Sequence, residues 1–223
     1  MMKAVIFDMD GVIIDSEPIY TEADKKIFEK LSIDMSKEEI ESYVGKNSYD
    51  MWTEVYEKYG LQGKFSINEL VKYQRKMFLE HLNNSEKLST ISGVIDWMQY
   101  FKDNGIKMAI ASSSSKEIVS FVIDKFKLRE YIEIYVDGDS VKKGKPNPDI
   151  FLKAASELGI EPNECIVIED SYNGVRAAKS AGMKCLGFKN LNSGDQDLSL
   201  GDNIIHSYSK KNLNKVINLF DKR

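Results

Sequence analysis

The sequence predicts an α/β fold: a parallel sheet covered by helices on both faces and interrupted early by a purely helical stretch. Three observations predict it. A short apolar run, Ala4 to Phe7, is stopped by an acid and reads as a buried strand. From residue 87 onward strand-like and helix-like segments alternate, the pattern of a parallel sheet with crossover helices. Between the two, residues 16–86 carry helical periodicity with no strand-like run.

The first strand leads directly into Asp8, Asp10 and Gly11. Residues two apart on a strand share a face, so the two acids are expected side by side at the strand's carboxyl end. Gly11 reaches backbone angles that other residues avoid. In the helical stretch, Ser16 is a candidate cap, Pro18 suits a first turn, and Ile19, Ala23, Ile27 and Leu31 recur every four residues. Ser36 with Glu39 and Ser66 with Glu69 both fit a capping box. Met51, Trp52, Val55, Tyr56 and Tyr59 share one face of a helix that ends at Gly60, and a further helix is expected from Ser66 to Leu82.

The alternating part follows. Val94, Trp97, Met98 and Phe101 mark a helix closed by Gly105. Lys107 to Ala111 reads as a strand ending in Ser112, and Ser114 with Glu117 as a capping box opening the next helix. Ile132 to Val136 is a predicted strand. Asn147-Pro148 is expected to start a helix ending at Gly159. Cys165 to Ile168 reads as a strand ending in Glu169-Asp170. A small-residue helix with Val175, Ala178 and Ala181 stops at Gly182, Lys184 to Phe188 is one more strand, and Leu213, Val216, Ile217 and Phe220 outline a last helix.

Composition narrows the function classes. The chain has 223 residues, 42% hydrophobic and 30% charged, enough for one large domain with an insert. A net charge of −4 and a pI near 5.4 offer no basic surface for nucleic acid. No apolar run approaches the ~18 residues of a membrane span, and Asp8 cuts the apolar start too soon for a signal peptide. A cytoplasmic protein with no membrane partner is therefore expected. Cys165 and Cys185 each fall in a predicted strand and read as buried, reduced thiols. His81 and His206 lie far from every motif, so proton chemistry falls to carboxylates and lysines.

Two carboxylates held close together are costly unless a cation or a shared proton relieves them. Mg²⁺, which prefers oxygen ligands, is the ordinary relief. One acid is then free to attack phosphorus while the other handles protons. By itself Asp10-Gly11 is equally a simple turn former. Three further groups fall at strand ends or adjoining loops. Ser112, with the backbone N–H groups after it, suits phosphate oxygens or a helix cap. Lys145, in a Gly/Pro loop, is a compact charge suited to a phosphoryl oxygen or to solvent. Glu169-Asp170 suits a metal or a helix N-terminus.

In order, these features resemble the four motifs of the haloacid dehalogenase superfamily. FDMDGVIIDSEP resembles the first, D-x-D-G-[TV]; Ser112 the second; Lys145 the third; and Glu169-Asp170 followed by Gly174-Val175-Arg176-Ala177-Ala178 the fourth. The resemblance covers nearly the whole chain and points to the branch of β-phosphoglucomutases and small sugar-phosphate phosphatases. It implies a doubly wound, Rossmann-like core (residues 1–15 and 87–223) with a small all-helical cap (residues 16–86) inserted after the first strand. It implies that Asp8 is a nucleophile forming an aspartyl phosphate. Asp10 would protonate the leaving alkoxide and then activate water. Ser112, Ser113 and Lys145 would hold phosphoryl oxygens. Mg²⁺ would be bound by Asp8, the Asp10 backbone oxygen, Asp170 and Glu169, the last directly or through water. Dehalogenases of the superfamily lack the second Asp, so Asp10 argues against carbon–halogen cleavage. A monomer is the default for this branch.

The resemblance implies a small phosphorylated sugar or polyol as substrate and leaves phosphatase and β-phosphoglucomutase both open, with phosphatase ahead. Val44-Gly45-Lys46 resembles the cap glycine region, making Gly45 and Lys46 candidate substrate contacts. Mutases of the branch carry a histidine on the first cap helix, where this chain has Tyr20. They also carry an arginine shortly after the cap glycine, where it has Asn47-Ser48-Tyr49. A phosphorylation-receiver domain is disfavoured because such domains are about half this length and place the acid pair before the phosphoacceptor. A catalytically dead sugar-phosphate sensor is disfavoured because no motif position is missing.

Overall fold

The computed structural model describes residues 1–43, 46 and 48–221. Among them, six parallel strands form one sheet: β1 (Ala4–Phe7), β2 (Lys107–Ala111), β3 (Ile134–Val136), β4 (Cys165–Glu169), β5 (Lys184–Phe188) and β6 (Asn203–Ile205). Their order is β3-β2-β1-β4-β5-β6. The first strand is central, and the chain winds outward from it in both directions. The order therefore reverses between β1 and β4, and the crevice outside the carboxyl ends of those two strands is where such sheets bind ligands. Register brings the ends level: Phe7 lies opposite Ile110 of β2 and Ile168 of β4. Asp8 and Glu169 consequently leave the sheet side by side.

Strand alternation divides the core. Val5 and Phe7 face one side, with Trp97 and Phe101 of α5 (Val94–Asp103), Val119 and Val122 of α6 (Lys116–Lys125) and Val216 of α9 (Lys210–Asp221). Ala4 and Ile6 face the other, with Phe151 and Ala154 of α7 (Asp149–Leu158) and Val175 and Ala178 of α8 (Tyr172–Ser180). Helices thus cover both faces, as the buried-strand reading requires. Cys165 and Cys185 are buried, free thiols on the second face, and burial pushes the Cys165 thiol up to about 11.

The helical stretch contains α1 (Glu17–Lys30), α2 (Lys37–Ser42), α3 (Ser48–Lys58) and α4 (Ile67–Asn84). It has a core of its own, built from Ile27, Phe28, Trp52, Val55 and Leu70. Trp52 is fully buried and donates its indole N–H to Gln74 at 3.1 Å, whereas Tyr49 is exposed. Ile19, Tyr20 and Leu82, at the near ends of α1 and α4, belong instead to the sheet-side core. The cap is therefore rooted through two helix ends.

Several sequence expectations shift. The third strand starts at Ile134, not Ile132. β6, only three residues, is too short for a run of four to eight to reveal. The Ser66–Glu69 capping box is complete, but at Ser36 only the Glu39 N–H bond forms, because the Glu39 carboxylate turns to Lys58 and Tyr59. Ser115 and not Ser114 holds the N-cap position of α6, without a side-chain cap bond, and the Ser114 hydroxyl is bonded elsewhere. Ser16 likewise gives its hydroxyl to Asp10 and makes no side-chain cap bond. Asn147 donates to the Gly144 carbonyl, leaving Pro148 at the start of α7.

Candidate active site

The site begins where β1 stops. Asp8 continues the ladder for one bond, donating its N–H to Ile168 O at 2.9 Å. The chain then turns tightly, with Gly11 N–H on Ile14 O at 2.8 Å and Ile13 N–H on Met9 O at 2.8 Å. Gly11 has φ +75°, and a Cβ there would sit 1.9 Å from Asp170 Oδ2. Two separate demands, backbone angle and close approach, thus require glycine. Tyr208 fixes the far side of this turn, donating its hydroxyl to Val12 O at 3.0 Å.

Glu169 and Asp170 end β4, and the start of α8 shapes them. Ser171 caps that helix, its Oγ accepting from Gly174 N–H at 3.0 Å, while Glu169 Oε2 accepts from Ser171 N–H at 2.6 Å. The Glu169 carboxylate therefore sits at a helix N-terminus, where backbone N–H groups favour negative charge. A Cβ on Gly174 would fall 1.7 Å from Glu169 Oε1, so the glycine makes room for the acid.

Lys145 joins the two halves. Its ammonium is 2.7 Å from Asp8 Oδ1 and 2.7 Å from Glu169 Oε1, in a site that is nearly sealed. Burial disfavours its charge, but Asp8 and Glu169 more than compensate and raise its pKa. Burial pushes the Asp8 carboxyl up to about 7 against the pull of Lys145. Asp170 is pushed well above the usual carboxylate range by burial, then by Glu169 and Asp8. One oxygen from each of Asp8, Glu169 and Asp170 lies within 4.8 Å of the others. Three hard oxygen donors, two of them reluctant to ionise in each other's company, suit a small divalent cation such as Mg²⁺.

Asp10 is turned away from that group. Its Oδ1 accepts from Ser16 Oγ at 2.6 Å, and its Oδ2 from Ser114 Oγ at 2.7 Å and Ser112 Oγ at 3.4 Å. The two acids are thus neighbours with different surroundings, one beside an ammonium and carboxylates, the other held by hydroxyls. Ser112 itself is fully buried, its Oγ accepting from Ser114 N–H at 3.0 Å, whereas Ser113 and Ser114 line the cleft above the acids. Lys46 lines the same cleft, but its ammonium is bonded to Glu54 at 2.7 Å. Gly45 lies outside the described residues.

Other participants were not visible in the sequence. Ser193 donates a short hydrogen bond to Asp170 Oδ2, and Asn190 donates to Gly11 O at 3.1 Å. Both come from the polar loop after β5, where serine and asparagine carry no signal beyond loop composition. The roof of the cleft is formed by Glu17, Tyr20 and Asp24 of α1 and Gln74, Arg75 and Phe78 of α4. Gln74 donates to Asp24 at 2.7 Å, and Arg75 reaches across to Asp139 of the sheet domain at 2.8 Å. Burial, helped by Asp10 and Asp24, pushes the Glu17 carboxyl up to about 8.

Comparison with known proteins gives a consistent picture. A family model described as "Haloacid dehalogenase-like hydrolase" matches residues 5–188. The chain is 36% identical over 190 residues to "Putative phosphatase YhcW" of Bacillus subtilis, covering 83% of each chain. It is 34% identical over 188 residues to "Phosphorylated carbohydrates phosphatase" of Thermotoga maritima, covering 82% of this chain and 83% of that one. A crystal structure of β-phosphoglucomutase from Clostridium difficile shares the fold with a TM-score of 0.84 at 25% identity, over 100% of both chains.

Proposed function

Because the chain belongs to the haloacid dehalogenase-like hydrolase family, we propose that it is a phosphatase of small phosphorylated sugars or polyols, working through Asp8. The observation that carries this reading is the Lys145 ammonium lying 2.7 Å from Asp8 inside a group of three buried carboxylates. Phosphoryl transfer needs positioning and neutralised oxygens more than elaborate covalent chemistry. Asp8 attacks phosphorus and becomes an aspartyl phosphate. Lys145 and the Ser113 N–H draw charge from the phosphoryl oxygens. Asp10, its carboxylate aimed by Ser16 and Ser114, protonates the departing alkoxide and then takes a proton from water. Asp8, Glu169, Asp170 and the Asp10 backbone oxygen would hold Mg²⁺, which supplies positive charge against the transferring phosphoryl group.

The mutase alternative requires a substrate with two phosphates. Lys46 and Arg75, the cleft cations outside the floor among the described residues, are already paired with Glu54 and Asp139, which favours a monophosphate. Two assays test the reading. EDTA is expected to abolish, and Mg²⁺ to restore, release of phosphate from a panel of sugar and polyol phosphates. With β-glucose 1-phosphate and a trace of glucose 1,6-bisphosphate, free phosphate is expected; glucose 6-phosphate without it assigns the chain as a mutase.

A further inference from the structure

The walls of the cleft hold polar groups that lack a well-formed partner among the described residues. The Tyr20 hydroxyl is buried and without a hydrogen-bond partner of good geometry, although it lies beside the Asp10 carboxylate and Ser114. Its ring is held by stacking on Phe78, with centroids 4.3 Å apart, so the hydroxyl cannot swing away to solvent. Ser115 Oγ, also lining the cleft, is buried and unpartnered. Glu17, one turn before Tyr20 on α1, lines the cleft and makes no hydrogen bond or ion pair among the described residues. Glu17 is half-buried, but an unsatisfied buried polar group costs about 1–3 kcal/mol, so the Tyr20 and Ser115 hydroxyls on the cleft wall point to a ligand that completes them.

Resting on the phosphatase reading, we propose that Tyr20 and Glu17 are specificity-determining residues that recognise a hydroxyl on the carbon next to the phosphoester. A general acid must come within about 2.6–3.2 Å of the ester oxygen it protonates. Tyr20 lies beside Asp10, so its hydroxyl reaches only the first few atoms beyond that oxygen. In a sugar or polyol phosphate, the first polar atom there is the adjacent hydroxyl. Tyr20 donates to it and a Glu17 oxygen accepts from it, the complement of a single hydroxyl group. The preferred substrate class is therefore a monophosphate with a hydroxyl on the carbon next to the ester.

The test compares two substrates of equal length, glycerol 1-phosphate and 3-hydroxypropyl phosphate, which lacks only the adjacent hydroxyl. The ratio of their kcat/KM values is expected to be about 10 or more in the parent enzyme, the worth of one or two hydrogen bonds. Tyr20→Phe keeps the ring stacking and is expected to lower that ratio about tenfold; Glu17→Ala is expected to lower it in the same direction. A parent ratio near 1, or a ratio unmoved by Tyr20→Phe, overturns the assignment. Absence of Mg²⁺-dependent hydrolysis of p-nitrophenyl phosphate by the parent enzyme instead overturns the phosphatase reading itself.

Discussion

The floor and the roof of the cleft are put together by opposite rules. On the floor each charge faces a partner: Lys145 bridges Asp8 and Glu169, Asp10 is held by serines, and Asp170 by Ser193. These groups come from the carboxyl ends of five strands and the loops after them, brought level by parallel register. On the roof, among the described residues, the buried Tyr20 hydroxyl has no well-formed partner and the half-buried Glu17 makes no ion pair, on a helix whose other face is ordinary apolar core. The floor is organised before substrate arrives, as chemistry common to many substrates requires. On the proposed reading the roof is completed only by the substrate, which is what selectivity requires.

Breaking the floor should have the largest effects. If Asp8 is the nucleophile as proposed, Asp8→Asn replaces the attacking carboxylate with a neutral amide and is expected to lower kcat by about 10⁴-fold or more, measured as phosphate release. Lys145→Met leaves Asp8 and Glu169 facing each other with no cation between them. It is expected to destabilise the metal-free fold by about 3–5 kcal/mol, measured by urea denaturation in EDTA. Gly11→Ala drives a methyl group into Asp170. A misplacement of about 1 Å near the chemistry costs roughly 10²-fold in rate, and the same loss is expected here in steady-state assays.

The unequal legibility of the two regions has a physical cause. Ala4 to Phe7, Lys107 to Ala111 and Cys165 to Ile168 are apolar runs ended by turns or polar residues, so they were readable as strands, and with them the positions of Asp8, Ser112 and Glu169. The roof was not readable. Glu17 and Asp24 look like solvated helix charges until it is known which side of α1 meets the sheet edge. Ser114 and Ser115 were interchanged as the cap because a run of four serines offers no contrast; the carboxylate of Asp10, 104 positions earlier, decides which hydroxyl turns inward. The same long-range pull removed Ser16 from its expected capping role. Ser193 and Asn190 sit in a loop whose composition announces only a loop.

The roof should also show itself in the pH dependence of stability, with a smaller effect. Burial pushes the Asp24 carboxyl up to about 7, against the hydrogen bond from Gln74. A folded-state pKa above the unfolded value favours the native state while the group is protonated. That contribution is full below about pH 4 and is lost as pH rises through about 7. The metal-free protein is therefore expected to lose thermal stability between pH 5 and pH 8. Asp24→Asn, which keeps an oxygen for Gln74, is expected to lose less over the same interval. Because Asp24 retains some solvent contact, the difference is smaller than for a sealed carboxylate; equal losses would mean that charging Asp24 is not resisted by the fold.

The central claim is that the first acid after β1 carries the phosphoryl group. Quenching the enzyme during turnover, reducing it with borohydride and mapping the peptides by mass tests it directly, since hydride converts an aspartyl phosphate to homoserine. Homoserine at position 8, absent without substrate, is the predicted result. Steady hydrolysis with aspartate intact at position 8, or with homoserine at position 10 or 170, would contradict it.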